Sequence, residues 1–459
     1  MTYEEAISYL DSFMNYEKKS SFHYKTAFKL DRIKKFLSLI GDPQKDLRII
    51  HIAGTKGKGS TACFMAHILK EAGFRVGLYT SPHLSDLRER IRILDPNNTA
   101  DEKNSFPGMI LKNDFVSLLD TLKSQVDFFH RDFANLDRLT FFEILTTIAL
   151  KFFKDKNVDF AVLETGLGGR FDATNACASL ITCITPISYD HEHILGTTLT
   201  EIAFEKAGII KASNIKTKEE VSVCISALQS KEVLGVLKRR AKAEGAVLFE
   251  MDRDFYFKRL SGDLFSQDFF YKGLNNEFFF FKTKMLGQHQ LENASLALAC
   301  CEALALHGIR IRSDAMAQGV YQAFWPGRLE VIHTNPFIIL DGAHNRDSAN
   351  RLVCFLDREF KKFRKWLIFG ASEDKDIKGI IEQLEHLQPY RIILTRAHNP
   401  RAADPQHISR HYFKKTESTV TASVQEAVDI LNREIRPDDV AVVTGSLFIV
   451  GEARAVWQK

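Results

Sequence analysis

Apolar positions change their spacing along this chain, and the changes mark out its elements. Leu30, Ile33, Phe36, Leu37 and Ile40 recur at helical spacing until Gly41-Asp42-Pro43 stops them, so the first forty residues are predicted to be helical. Arg48-Ile49-Ile50-His51-Ile52 is a short β-rich run, followed at once by glycines. Runs at 75–79, 158–163 and 180–187 have the same character. Each is nearly continuously apolar instead of alternating, as expected for strands covered by helices on both faces. The expectation is therefore α/β, with a parallel sheet.

Two regions depart from that pattern. Residues 95–107 are polar and turn-rich and read as a loop or insertion. Residues 211–284 contain Lys- and Glu-rich helical stretches, then an aromatic block of Phe269, Phe270 and Phe278 to Phe281. The block is expected to form antiparallel strands packing an apolar face. After Trp325-Pro326-Gly327-Arg328 a second α/β pattern begins. Its strand-like runs end at Leu340, Phe369, Leu394 and Val443, with helix-length segments between the first three. This predicts a separate C-terminal unit with its own parallel sheet, reached through a Trp-Pro-Gly linker.

Composition adds bounds. The 459 residues are enough for two or three domains. Apolar types at 45% and charged types at 26% suit large cores and exclude a disordered or collagen-like chain. A net charge of +4 is too small a basic bias for a nucleic-acid or membrane-surface binder. No apolar run reaches the roughly 18 residues of a membrane span. The acidic start Met1-Thr2-Tyr3-Glu4-Glu5 does not read as a secretory signal. Seven cysteines, without paired Cys-x-x-Cys knuckles, read as buried free thiols in a reducing cytosol.

The strongest chemical signal is Gly54-Thr55-Lys56-Gly57-Lys58-Gly59-Ser60, between a strand and a helix. Glycines let backbone N–H groups turn in around phosphate oxygens, the helix N-terminus adds positive potential, and Lys58 supplies a point charge. It is not a strict Walker A loop: Ile52 stands where Gly is required and Gly59 where Ser or Thr should follow the lysine. Four more polar clusters follow predicted strands: Thr80 to His83, Glu164 to Arg170, Tyr189 to His191 and Asp341 to Asn345. Ligands of parallel sheets bind at the carboxyl ends of strands, so these clusters should face one crevice. Ser81, Glu164 and a phosphate oxygen suit Mg²⁺, which takes oxygen ligands. His191 is a less usual Mg²⁺ ligand, and a hydrogen-bonding role suits it better.

The full set resembles the bacterial folylpolyglutamate synthases and dihydrofolate synthases, in the wider Mur ligase group. The resemblance rests on eleven ordered motifs: GTKGKGS (54–60), TSPHL (80–84), ERI (89–91), TFFE (140–143), ETGLGGRFDATN (164–175), DH (190–191), EKAGIIK (205–211), GQHQLENA (287–294), PGRLE (326–330), DGAHN (341–345) and GSL (445–447). It implies ATP-dependent amide formation through an acyl phosphate, with glutamate as the incoming amine. It implies a P-loop ATP-binding domain with a small antiparallel sheet over residues 1–325 and a Rossmann-like domain over 326–459. Gly54, Gly57, Lys58, Gly59 and Ser60 would hold the triphosphate, and Asn293, Arg328 and Asp341 the rest of the nucleotide. Ser60, Ser81 and Glu164 would serve one Mg²⁺. His191 and a carbamylated Lys206 would serve a second. The resemblance would make Lys58, Lys206 and His191 the catalytic residues. His344 and Ser446 match positions proposed to hold glutamate, and Phe142 and Asp172 match the pteridine side. The implied partners are small molecules only, with no nucleic acid and no membrane, and the implied form is a cytoplasmic monomer.

Two positions depart from the family pattern. Lys56 replaces the commonest Asn and is expected to add a charge near the phosphates. Arg346 replaces Pro after DGAHN, which should loosen that turn and bring a cation near the glutamate pocket. Two rival readings are a cell-wall ligase acting on a uridine nucleotide and a nucleotide switch. GLGGRFDATN and TSPHL oppose the first. A guanine-type switch would want an Asn-Lys-x-Asp motif, and the chain has none.

Overall fold

Alternate residues of the first predicted strand enter different cores, which is why it carries no polar face. Ile50 and Ile52 pack with Phe64 and Leu296, and Ile49 packs on the other side with Phe36 and Phe153. In the computed structural model, which describes residues 1–19, 22, 24–98, 105–212, 221–413 and 416–458, this strand is Ile49–Ala53 (β1). It lies centrally in a sheet with Val76–Tyr79 (β2), Ile91–Leu94 (β3), Phe160–Glu164 (β4), Ile181–Ile184 (β5), Val223–Ser226 (β6) and Val247–Glu250 (β7). The order is β3-β2-β4-β1-β5-β6-β7. All pairs are parallel except the β2–β3 edge. The register sets Ile52 beside both Glu164 and Cys183, so the phosphate loop and Glu164 leave the sheet at the same carboxyl edge.

The helices Lys58–Glu71, Gln288–Ala303 and Ser313–Gln322 cover one face of this sheet. A Cβ at Gly319 would stand 2.4 Å from Ile68 Cα, so the crossing of the first and third of these helices has room only for glycine. The N-terminal forty residues are less continuous than expected. They hold helices Tyr3–Asp11 and Leu30–Leu39, with a 3₁₀ turn at Tyr16–Lys18 and a four-residue helix at Tyr24–Ala27 among the described residues between them.

The region 211–284 also differs. Residues 213–220 lie outside the described residues, as do 99–104 of the predicted loop. Here β6 and β7 extend the main sheet, with one helix, Lys231–Ala243, between them. The aromatic block does form an antiparallel sheet: Tyr256–Gly262 (β8), Gln267–Lys272 (β9) and Phe278–Thr283 (β10), in the order β10-β9-β8. Only one of its faces is buried. Phe269, Tyr271 and Phe281 enter the core, whereas Phe278 is 61% and Phe280 72% exposed, beside Phe270. Four consecutive phenylalanines must occupy both faces of a strand, because its side chains alternate.

The second sheet comprises Glu330–Thr334 (β11), Phe337–Leu340 (β12), Arg364–Phe369 (β13), Arg391–Leu394 (β14), Ser418–Val420 (β15) and Asp439–Thr444 (β16), in the order β11-β12-β16-β13-β14-β15. It is mixed, not wholly parallel, because β11 pairs antiparallel with β12. Six cysteines are buried and free as expected, but Cys354 is exposed. Among the described residues no helix is long and apolar enough to cross a membrane.

Candidate active site

The phosphate loop needs its glycines for two separate reasons. Gly54 and Gly57 have φ of +148° and +83°, which L side chains rarely adopt. Added Cβ atoms would also fall 1.9 Å from Thr185 Oγ1 and 2.2 Å from Asn293 Oδ1. Gly57 caps the helix Lys58–Glu71, whose free N–H groups open onto the loop. Backbone N–H groups of Thr55 and Lys56 donate to Pro186 O at 3.0 and 3.3 Å, fixing the loop against the end of β5.

Glu164 ends β4 and is buried. Its Oε2 accepts from Ser81 N at 3.1 Å, and its Oε1 lies 4.0 Å from Lys58 Nζ. Burial raises its pKa, and Lys58 opposes the rise. Lys206 is also buried and donates from Nζ to Gly54 O at 2.8 Å. Burial, then the neighbouring Lys58 charge, lower its pKa to about 7.

Arg328 and Asp341 enter from the second sheet's side. Asp341 Oδ2 accepts from Leu329 N at 2.9 Å and Oδ1 from Ala343 N at 3.0 Å, while Arg328 Nη1 reaches Gly342 O at 3.4 Å. Asn293 comes from the opposite side, on the helix Gln288–Ala303, and donates to Gln290 Oε1 at 3.0 Å.

These residues line one cavity of about 230 Å³, together with Gly59, Ser60 and His191. An adjoining cavity of about 240 Å³ holds Phe142, Asp172 and Ser446. Ser81, His191 and His344 line both. Within the second cavity two of the expected residues have internal partners. The Asp172 carboxylate accepts from Leu167 N and from Thr174 N and Oγ1, and Ser446 caps the helix Leu447–Trp457. His344 Nδ1 lies 2.8 Å from Gly342 O, which makes Nδ1 the donor and leaves Nε2 as an acceptor.

Among the described residues no group of three or more His, Cys, Asp or Glu could hold a metal by itself. Glu164, Ser60 and Ser81 bring a carboxylate and two hydroxyls to the cleft, which Asp190 and Asp341 also line. That set fits Mg²⁺, which prefers hard oxygen ligands and keeps waters.

Of the two departures from the family pattern, Lys56 does line the first cavity, as expected of a charge near the phosphates, but it pairs there with Asp347. Arg346 is exposed, lies 3.4 Å from Glu382 and lines neither cavity. Its turn is not loosened either, because Asn345 and Ser348 form a capping box there.

The Mur ligase middle domain matches residues 52–301, and the glutamate ligase domain of the Mur ligases matches residues 327–447. The chain belongs to the Mur ligase family. This Mur ligase is 31% identical over 430 residues to the dihydrofolate synthase/folylpolyglutamate synthase of Bacillus subtilis (strain 168), with 93% of this chain and 94% of that one covered. Its fold is similar to Mycobacterium tuberculosis folylpolyglutamate synthase complexed with ADP, with a TM-score of 0.86, 29% identity, and 100% of this chain and 98% of that one covered. A structure described as an FPGS-AMPPCP-folate complex is similar at a TM-score of 0.79 and 28% identity, with 99% of each chain covered. Among Mur ligases it therefore stands with the folylpolyglutamate and dihydrofolate synthases.

Several residues of this Mur ligase's second cavity escaped the sequence reading. Lys375 Nζ lies 3.5 Å from Asp190 Oδ1, and Arg401 Nη1 lies 3.6 Å from Asp374 Oδ1. Lys375 follows β13 by a few residues, so the same strand-end rule that picked out Asp341 applied to it. Glu17 had no such signal. It is held by both terminal nitrogens of buried Arg90 at 2.7 Å, and Arg90 Nε donates to His83 Nδ1 at 2.9 Å. The ERI and TSPHL motifs thus hold a residue of the N-terminal segment at the cavity wall.

Proposed function

We propose that the two adjoining cavities join L-glutamate to a pterin acid, making dihydrofolate from dihydropteroate and polyglutamates from folates. The protein is an ATP-dependent ligase, as its close relatives are. The observation that carries the reading is the shared wall. Ser81, His191 and His344 face both cavities, so a phosphate in one and a carboxylate in the other can meet there.

In this reading ATP lies in the first cavity, with its phosphates on Gly54, Gly57, Lys58, Gly59 and Ser60. Asn293, Arg328 and Asp341 hold the remainder from both sides. The pterin acid's carboxylate attacks the γ-phosphorus and ADP leaves. The glutamate amine then attacks the acyl carbon and phosphate leaves. Both steps gain most from positioning and charge neutralisation, which Lys58 supplies from the helix N-terminus. Ser60, Ser81 and Glu164 would hold one Mg²⁺, and His191 with a carbamate on Lys206 a second, supplying charge balance at the phosphates. Lys375 and Arg401 give the second cavity cations suited to glutamate carboxylates. His344 Nε2 and Ser446 hold the amine end, with Phe142 and Asp172 toward the pterin. The chain divides at residues 325 and 326, its partners are small molecules, and it works as a cytoplasmic monomer.

The test is ADP release measured with glutamate and, separately, with dihydropteroate or tetrahydrofolate. Release should require both glutamate and an acid. Nucleotide hydrolysis that ignores both would instead favour a switch.

A further inference from the structure

Lys56 belongs to the phosphate loop but takes no part in the chemistry proposed above. Its backbone is tied to Pro186 O at 3.3 Å, while its side chain leaves the loop for the second sheet's side of the cleft. There Nζ bonds Oδ2 of Asp347, the second residue of the helix Arg346–Glu359. The Lys56 side chain is 14% exposed and that of Asp347 46%. Arg351, one turn further along, places Nε 3.4 Å from the same Asp347 oxygen. Lys56 and Arg351 also line the edge of the first cavity, with His289.

We propose that Lys56 and Asp347 form a charge latch across the cleft, one that holds the phosphate loop against the helix Arg346–Glu359 and sets how readily this chain closes on ATP. The inference rests on the reading of the first cavity as an ATP site, but only for its second half.

Three features point to it. The two residues are 291 positions apart and are held by different sheets, so the bond has to break if the cleft opens between them. An acid at the helix N-terminus is favoured by the helix dipole, which pins Asp347 where Lys56 can reach it. A carboxylate beside a triphosphate cleft would repel the nucleotide, and Lys56 together with Arg351 offsets that charge. Burial lowers the Lys56 pKa, and the hydrogen bond and charge of Asp347 oppose the shift. The latch differs in kind from Lys58, whose nearest acid is Glu164 inside the cleft.

The test is a double-mutant cycle of Lys56→Asn, Asp347→Asn and the pair, read two ways. Small-angle scattering without nucleotide should show each single variant more expanded than the normal protein, with Lys56→Arg matching the normal protein. Steady-state assays should show the ATP KM raised about two- to fivefold in each single variant, the range for a part-exposed ion pair, with kcat little changed. The double variant should be no worse than either single one. Additive losses would overturn the latch. So would a lower ATP KM in Asp347→Asn, since that would mean Lys56 had been withheld from the phosphates. Unchanged scattering in all three variants would overturn it as well. If the normal protein released no ADP, the ATP reading would fail while the scattering still tested the latch.

Discussion

Lys206 stands within hydrogen-bond reach of the phosphate loop, yet as an ammonium it could not ligate a cation, having no lone pair. Burial and Lys58 bring its pKa to about 7, so near neutrality a large share is free amine. A free amine adds CO₂, and the resulting carbamate offers two hard oxygens. Protein prepared without CO₂ should therefore gain activity on adding bicarbonate, and labelled bicarbonate should give a carbamate carbon signal absent from Lys206→Ala. Equal activity with and without bicarbonate, and no signal, would remove the carbamate from the mechanism. Lys58 carries a different load. In the proposed reaction its ammonium would face the place where charge builds on the transferring phosphoryl group. Lys58→Ala should cut turnover more than about a hundredfold, roughly 3 kcal/mol of transition-state stabilisation, with the circular dichroism spectrum unchanged. Near-normal turnover would end the phosphate-loop assignment.

At the scale of elements, the helix Lys58–Glu71 couples site and stability. It brings Lys58 to the cleft at one end and buries His67 near the other. Burial, with help from the nearby Arg92 charge, lowers the His67 pKa to about 3. His51 on β1, hydrogen-bonded to Thr174 Oγ1 at 2.8 Å, is likewise pushed well down by burial. Both folded values lie below the unfolded value near 6.5. Their neutral burial is therefore fully tolerated above that pH, and stability is lost as pH falls below it, because the unfolded chain takes up protons the folded one refuses. For His67 the loss runs from about pH 6.5 toward 3, at up to about 1.4 kcal/mol per pH unit. Urea unfolding at pH 7.5 and 5.5 should show this slope, and His67→Gln should remove about one proton's worth of it. An identical slope in the variant would show that His67 titrates normally when folded.

For the whole molecule, the cleft has walls from both sheets. Gly54 to Ser60, Glu164 and Lys206 stand on one side, and Arg328, Asp341 and His344 on the other. The chain passes between them at Trp325-Pro326-Gly327-Arg328, where Gly327 has φ of +70° and Leu329 +48°. If ATP is gripped from both sides, ligand-free and ligand-bound forms should differ by a hinge there. Scattering with and without ATP and pterin acid should show compaction, and Arg328→Ala should bind ATP more weakly. Identical curves together with unchanged ATP affinity in Arg328→Ala would exclude a bridging role.

The sequence by itself determined the strands of both sheets' centres, because strands buried on two faces are nearly all apolar, as Ile49 to Ala53 are apart from His51. It also determined the phosphate loop, because only glycine fits the backbone at Gly54 and Gly57, and the strand-end rule that sends Glu164, His191 and Asp341 to one crevice. Edge strands were hidden. β15 is three residues long, β11 at one rim leaves His333 and Thr334 exposed, and β3 is four residues with Arg92 breaking its apolar run. The outward turn of Phe278 and Phe280 was hidden too, since composition does not say which face of a strand meets the core. The partners of Lys56, Lys375 and Glu17 could be decided only by tertiary structure. A charge on a lysine or glutamate is satisfied by whatever the fold brings within a few ångströms, and for Lys56 that partner lies 291 residues away along the chain.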